Sequence, residues 1–392
     1  MYVHRRFDPN ERYRERRHRA RRRKRLRRAA LAGLLLALTA GIVLGASFFT
    51  GENPSARETK AVALNSKTAP KPHVPSEIRG VHMTMGLASI EGKLSEYLAL
   101  RAYGLNTLEL DVKDENGSVG FTSPNLPKLA TDIGAAGLHY DGRAAARAAE
   151  DAGVYLIGRV VVFADPTLAP ARPELALQWP DGTPWRDPAG LAWLNPYDKR
   201  VWRYVVGIAA AAARVGFDEI QFDYVRFPSD GDLDSIVYPV SRREPKERTI
   251  ERFLTYASRR LKPLGVRVSA DLFGLAATRD LGVGQSPKRL GRHLDAIYPM
   301  VYPSHYVPGE YHLTDPEAFP GRTVAASIAD YRKATRGTDV RIVPWLQDFS
   351  LRRAYGLDEV TDQVDAARKA KAGGFLLWNP LGVYTQEALS SR

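Results

Sequence analysis

The 392-residue chain contains no cysteine. That absence excludes disulfides, cysteine zinc sites and thiol nucleophiles. Outside the first 28 residues it also has almost no net charge. The whole chain carries +13, and residues 1–28 hold 14 Lys/Arg against three acids, a net +11 that leaves +2 for the remainder. The basicity belongs to a tail, so no nucleic-acid partner is expected for the globular part. Several catalytic signatures are missing as well. There is no Gly-x-Ser-x-Gly elbow. Gly92-Lys93-Leu94 lacks the spacing and the hydroxyl residue of a phosphate loop, and Gly282-Val283-Gly284 lacks the third glycine of a dinucleotide loop. No His-x-His pair marks a metal-dependent hydrolase. No metal or organic cofactor is expected.

What is present begins with the amino-terminal layout. Residues 29–49 read AALAGLLLALTAGIVLGASFF, with no charge. As a helix this stretch spans roughly 30 Å, the hydrocarbon thickness of a bilayer. With the basic residues 1–28 kept in the cytoplasm, it reads as a single-pass signal anchor that places the rest of the chain outside the cell membrane. A cleaved signal peptide is the competing reading, with Ala46-Ser47 as a weak cleavage site. Residues 50–76 are polar and carry four prolines. They read as a flexible linker that spans about 28 Å as a coil. The folded domain is expected over 77–392.

From Glu77 onward short β-rich runs alternate with helical ones. Strands are expected at 79–83, 107–112, 155–162, 219–223, 267–272, 296–301, 341–345 and 374–378. Helices are expected at 90–103, 142–152, 199–215, 246–261, 287–294, before Gly337, and at 359–372. Gly104, Gly153, Gly216, Gly265, Gly337 and Gly373 stand where helix gives way to strand, the left-handed stop position. Eight β/α alternations over about 315 residues predict a TIM barrel, the (β/α)8 fold. A doubly wound sheet would show a Gly-rich turn after its first strand, and His82-Met83-Thr84-Met85-Gly86 is not one.

Period-two alternation then sorts each strand. Leu108, Leu110, Ile220, Phe222, Val268, Ala270 and Leu272 should face the helices. Glu109, Asp111, Arg159, Gln221, Asp223, Arg267, Ser269 and Asp271 should face the lumen. Buried charges need partners, so Glu109 is expected to meet Arg159 or Arg267 low in the barrel. Asp111, Asp223 and Asp271 lie nearer the strand C-termini, where barrel active sites form. On its own, Asp223 could instead pair with Arg226 and fix a turn.

Asp223 and Asp271 occupy matching positions on neighbouring strands, about 4.8 Å apart in backbone. Their carboxyls could sit roughly 5–6 Å apart, a spacing suited to a retaining glycosidase. Asp223 is the candidate nucleophile and Asp271 the acid/base. A rotamer change would widen the gap and suit inversion. The bland alternative is a polar plug satisfied by Arg226, Lys113 and lumen tyrosines. Aromatic placement favours a sugar ligand. Trp179, Trp185 and Trp193 lie in the long segment 163–197, and Trp345 and Trp378 end strands 7 and 8. The candidate substrate-binding set is Asp111, His82, Arg226, Tyr298, Tyr302, His305, Trp345, Gln347, Trp378 and Asn379. The expected partners are a polysaccharide or oligosaccharide and, through residues 29–49, a lipid bilayer.

The segment WLNP at 193–196, followed by a helix and GFDEIQFDYVRFP at 216–228, resembles a family of glycoside hydrolase-like domains from bacterial cell envelopes. EIRGVHMT, LELDVKDENG, SADLFG, YPMVYPSHY and LLWNP fit the same pattern, over roughly residues 77–385. The resemblance implies a TIM barrel that hydrolyses glycosidic bonds. It also implies that Asp223, on strand 4, is the nucleophile. Asp271 as acid/base departs from the commoner Glu. A non-catalytic glycan-binding barrel that tethers the membrane to wall polymer is the alternative.

Overall fold

The computed structural model describes residues 73–241 and 244–390. The basic tail, the apolar segment 29–49 and most of the linker lie outside the described residues. Among those described, no helix is long and apolar enough to cross a membrane.

Nine parallel strands form one closed sheet: β1 (Ile78–Met83), β2 (Thr107–Lys113), β3 (Tyr155–Val161), β4 (Glu219–Asp223), β5 (Arg267–Phe273), β6 (Ala296–Val301), β7 (Arg341–Ile342), β8 (Trp345–Gln347) and β9 (Gly374–Trp378). Neighbours run β5-β4-β3-β2-β1-β9-β8-β6, and pairing of β5 with β6 closes the ring. β7 and β8 both pair with β6 and are two halves of one barrel strand. They are separated at Val343-Pro344, where proline has no N–H to give the ladder. The result is the expected eight-stranded barrel.

Period two decides the layers. Leu108, Leu110, Ile220, Phe222, Val268, Ala270 and Leu272 join the apolar shell between sheet and helices. A second, separate apolar cluster fills the lumen and includes Ile78, Tyr155, Ile157, Tyr298, Trp345 and Leu376. The main outer helices are Gly142–Asp151, Lys199–Val215, Lys246–Leu261, Pro320–Ala334 and Leu357–Lys369. Two helical expectations change. The span 90–103 is a shorter helix, Lys93–Ala99, that tightens into a 3-10 turn at Leu100–Tyr103. The span 287–294 is helical only over Pro287–Leu290. Five of the six expected glycine stops are left-handed, whereas after the last helix Lys371 (φ 54°) takes that role in place of Gly373.

The long segment after β3 is a small β-bridged annex. Ala164 pairs with Trp193, Ala176 with Leu194, and Gln178 with both Pro184 and Val237. Trp185 and Trp193 are fully buried and form its core. Trp185 also donates to Asp232 O at 3.0 Å.

Candidate active site

The lumen is polar in two tiers. The lower tier is built on Glu219, at the start of β4. It accepts from Tyr155 Oη at 2.8 Å and from Ser269, and Arg267 Nε lies 3.9 Å away. The register pairs Tyr298 with Asp271, and its side chain is fully buried beside Glu219, not open to a ligand. Burial raises the Glu219 carboxyl above its usual range, against the pull of its hydrogen-bond donors.

One pleat higher, the register places His82 beside Glu109, and their side chains are hydrogen-bonded. This corrects the expected partner of Glu109: β1 presents a histidine at the same level, closer than either arginine. Burial raises Glu109 well above the carboxylate range and lowers His82 to about 4. His82 Nδ1 and the Glu109 carboxyl share that hydrogen bond, and the other ring nitrogen, Nε2, lies 3.7 Å from Asp111 Oδ1. The His82 ring packs 4.7 Å from Trp378, so it is a lumen residue under the rim.

The upper tier is organised by Arg159, from the middle of β3. Its Nη1 donates to Asp111 Oδ1 at 2.7 Å, and its Nε and Nη2 both donate to Asp223 Oδ2, at 3.0 and 2.7 Å. Arg226 is not the partner of Asp223. The other oxygen of Asp223 accepts from Tyr224 N at 2.6 Å. Tyr224 has φ 50°, a left-handed conformation that costs a non-glycine residue roughly 1 kcal/mol or more. This strain sits directly after the carboxylate it helps to hold. Asp111 also accepts weakly from Met85 N, at 3.3 Å, and burial raises its carboxyl despite His82 and Arg159.

Asp271 faces the same space from β5. Phe222 pairs with Ala270, so Asp223 and Asp271 follow at one level of adjacent strands. Asp271 Oδ1 accepts from Gln221 Nε2 at 2.5 Å and from Trp345 Nε1 at 2.7 Å. Burial, and then the neighbouring Asp223 charge, push its carboxyl well above the usual range. Lys113, considered as part of a lumen plug, instead pairs with buried Asp165 at 3.1 Å.

The remaining expected residues divide. Trp345 and Trp378 meet edge to face at 6.0 Å, over His82 and Asp271. Tyr302 is buried, with Asp271 and Asp223 among the charges that hold its phenol protonated, and its ring contacts His305 at 5.2 Å. Gln347 is fully buried between Ser304 N (3.0 Å) and Phe349 O (2.9 Å), and Asn379 binds the backbone of Asp348 and Leu381. Their amides are committed to the backbone, which corrects the expectation that they bind sugar hydroxyls. Asp348 is likewise held by Thr385. The loop after β2 adds a residue missing from the expected set. Glu115 reaches to 3.8 Å from Arg159 Nη1, and its side chain is 20% exposed, against 12% for Asp223 and 3% for Asp111. Its signal was the acidic run Asp114-Glu115 immediately past a strand C-terminus. A cavity of about 670 Å³ among the segments that follow β4 and β5, lined by Glu244, Arg248, Arg279 and Gln285 among others, has none of the lumen carboxylates in its lining.

A family model described as "putative glycosyl hydrolase domain" matches residues 80–384. The PgaB (BpsB) glycoside hydrolase domain of Bordetella bronchiseptica aligns with 81% of this chain and 99% of its own, at 16% identity and a TM-score of 0.57. That likeness bears on the fold alone. A hypothetical protein from Ruminiclostridium thermocellum is 36% identical over 49% of this chain and 96% of its own, with a TM-score of 0.45. No curated protein matches the chain.

Proposed function

Because the chain belongs to that glycosyl hydrolase family, we propose that it is a membrane-anchored, extracytoplasmic glycoside hydrolase that cleaves an envelope or extracellular polysaccharide by a retaining two-carboxylate mechanism. The layout proposed is a cytoplasmic tail (1–28), a signal anchor (29–49), a linker (50–76) and the barrel (77–392). One observation carries the chemistry. Asp223 and Asp271 lie at one level of adjacent strands in opposite surroundings: Asp223 on a guanidinium and a backbone N–H, Asp271 buried and held toward its protonated form.

In this mechanism Asp223 attacks the anomeric carbon as the glycosidic bond breaks. Asp271 delivers its proton to the leaving oxygen and then takes one from the water that releases the sugar. Arg159 holds the Asp223 carboxyl in place with two hydrogen bonds. Trp345 fixes Asp271 by one oxygen, and the Trp345 and Trp378 rings supply apolar faces for sugar C–H groups.

The test uses the full-length protein with a panel of purified wall and extracellular glycans, reading the first-formed product by proton NMR. Cleavage with retained anomeric configuration is expected. Inversion removes the nucleophile role from Asp223. Binding without turnover across the whole panel favours the glycan-binding tether. Membrane fractionation with protease accessibility checks the anchor, and recovery of the barrel in the cytoplasmic soluble fraction contradicts it.

A further inference from the structure

Arg226, three residues beyond Asp223, stands in an environment unlike that of the lumen cations. Its guanidinium carbon lies 4.9 Å from the Trp193 ring centroid, 5.2 Å from Tyr224 and 4.7 Å from Phe273. These three rings come from the annex, the exit of β4 and the end of β5, so the cage flanks both candidate carboxylates. Nη1 is pinned to Phe227 O at 3.1 Å and Ser229 Oγ at 3.2 Å. Among the described residues, Nε and Nη2 donate no hydrogen bond to protein, and no carboxylate forms an ion pair with Arg226. The contrast is sharp. Arg159 pairs with Asp111 and Asp223, and Lys113 with Asp165. The acids around Arg226 face other donors: Asp187 accepts from Ala189 N, Leu191 N and Trp193 Nε1, and Asp230 from Ser229. Burial lowers the Arg226 pKa against the pull of Tyr224, Asp230, Asp223 and Asp187, and the side chain stays partly open to solvent.

We propose that Arg226 is an oxyanion-binding subsite and that the glycan cleaved here is acidic, carrying a carboxylate or a phosphate ester on a sugar next to the scissile bond. This rests on the hydrolase reading above. The planar fork left by Nε and Nη2 matches two oxygens of one anion, and the aromatic walls strengthen such a pair by excluding water. The pinned Nη1 holds the fork in place before ligand arrives, which reduces the ordering cost of binding.

Calorimetry on full-length Asp223→Asn protein, which leaves the ligand intact, compares a glucuronate-containing oligosaccharide, its carboxyl-reduced neutral counterpart and a phosphate-substituted oligosaccharide. Either acidic glycan should bind about tenfold or more tightly than the neutral one. The arm that binds tighter identifies carboxylate or phosphate. Adding Arg226→Gln should abolish the preference, and Arg226→Lys should restore part of it. In active protein, Arg226→Gln should raise KM for the acidic glycan more than it lowers kcat. Equal affinity for charged and neutral glycans, a preference that survives Arg226→Gln, or no binding of either acidic glycan overturns the proposal. A neutral glycan cleaved as well as an acidic one overturns it while leaving the hydrolase reading intact. Acidic preference without cleavage by the unaltered protein leaves this subsite standing and removes the hydrolase reading.

Discussion

The lower and upper tiers of the lumen are made by the same alternation on the same strands, yet they do opposite things with a carboxylate. At the bottom, Glu219 is enclosed by Tyr155, Ser269, Tyr298 and Arg267, and its oxygens are occupied by neighbours. At the top, Asp223 and Asp271 carry contrasting charge environments under an aromatic wall, with Glu115 reaching toward solvent. Two pleats of strand separate a structural plug from a candidate reaction centre. What differs is which end of the strand the residue occupies, and hence whether the carboxyl is enclosed by protein or stands at the rim of the barrel.

The largest break in this comparison is expected from Arg159→Met. It leaves Asp111 and Asp223 buried without their cation, and the melting transition should report a loss of roughly 3–5 kcal/mol. A loss below about 1 kcal/mol contradicts the central place given to Arg159. In the lower tier, Glu219→Ala should cost roughly 3 kcal/mol by orphaning the Tyr155 and Ser269 hydroxyls. Cleavage per folded molecule should be unchanged, and a selective loss of kcat would erase the distinction between the tiers.

Trp345→Phe acts more finely. The indole N–H stabilises the charged form of Asp271. Removing it raises that carboxyl further, so the alkaline limb of kcat/KM should move to higher pH. A limb that stays in place places the titrating acid elsewhere, with Glu115 the next candidate. A pH-dependent effect concerns His82. Its folded pKa of about 4 lies below the unfolded value of 6.5, so its contribution to stability is complete above pH 6.5 and is lost as pH falls from 6.5 toward 4. Over that window His82→Gln should lose less stability than the unaltered protein, as read from melting temperatures. Equal losses place the pH sensitivity elsewhere.

The barrel and the lumen set were legible in the sequence because parity and strand ends are local properties. Ile220 and Phe222 against Gln221 and Asp223 sufficed to orient β4, and QFD and SAD to align Asp223 with Asp271. Partnerships across the lumen were not. Glu109 took His82 because β1 and β2 share a register, and Asp223 took Arg159 from β3, a pairing set by side-chain reach. Gln347 and Asn379 looked like hydroxyl binders because they follow strand ends, but the backbone around them needed donors and acceptors. Trp185 and Trp193 stayed ambiguous because a long loop's own core and a sugar platform draw on the same residue type. Glu115 lies past the strand, where parity gives no direction.

In the proposed mechanism Asp223 and Asp271 divide the work of glycoside cleavage. The most direct measurement is kcat on a glycan substrate for the full-length protein, Asp223→Asn and Asp271→Asn, taken across pH. A fall on the order of a thousandfold or more is expected for Asp223→Asn, and for Asp271→Asn a large fall together with loss of the alkaline limb. Product release that continues at the unaltered rate in both variants contradicts the proposed mechanism.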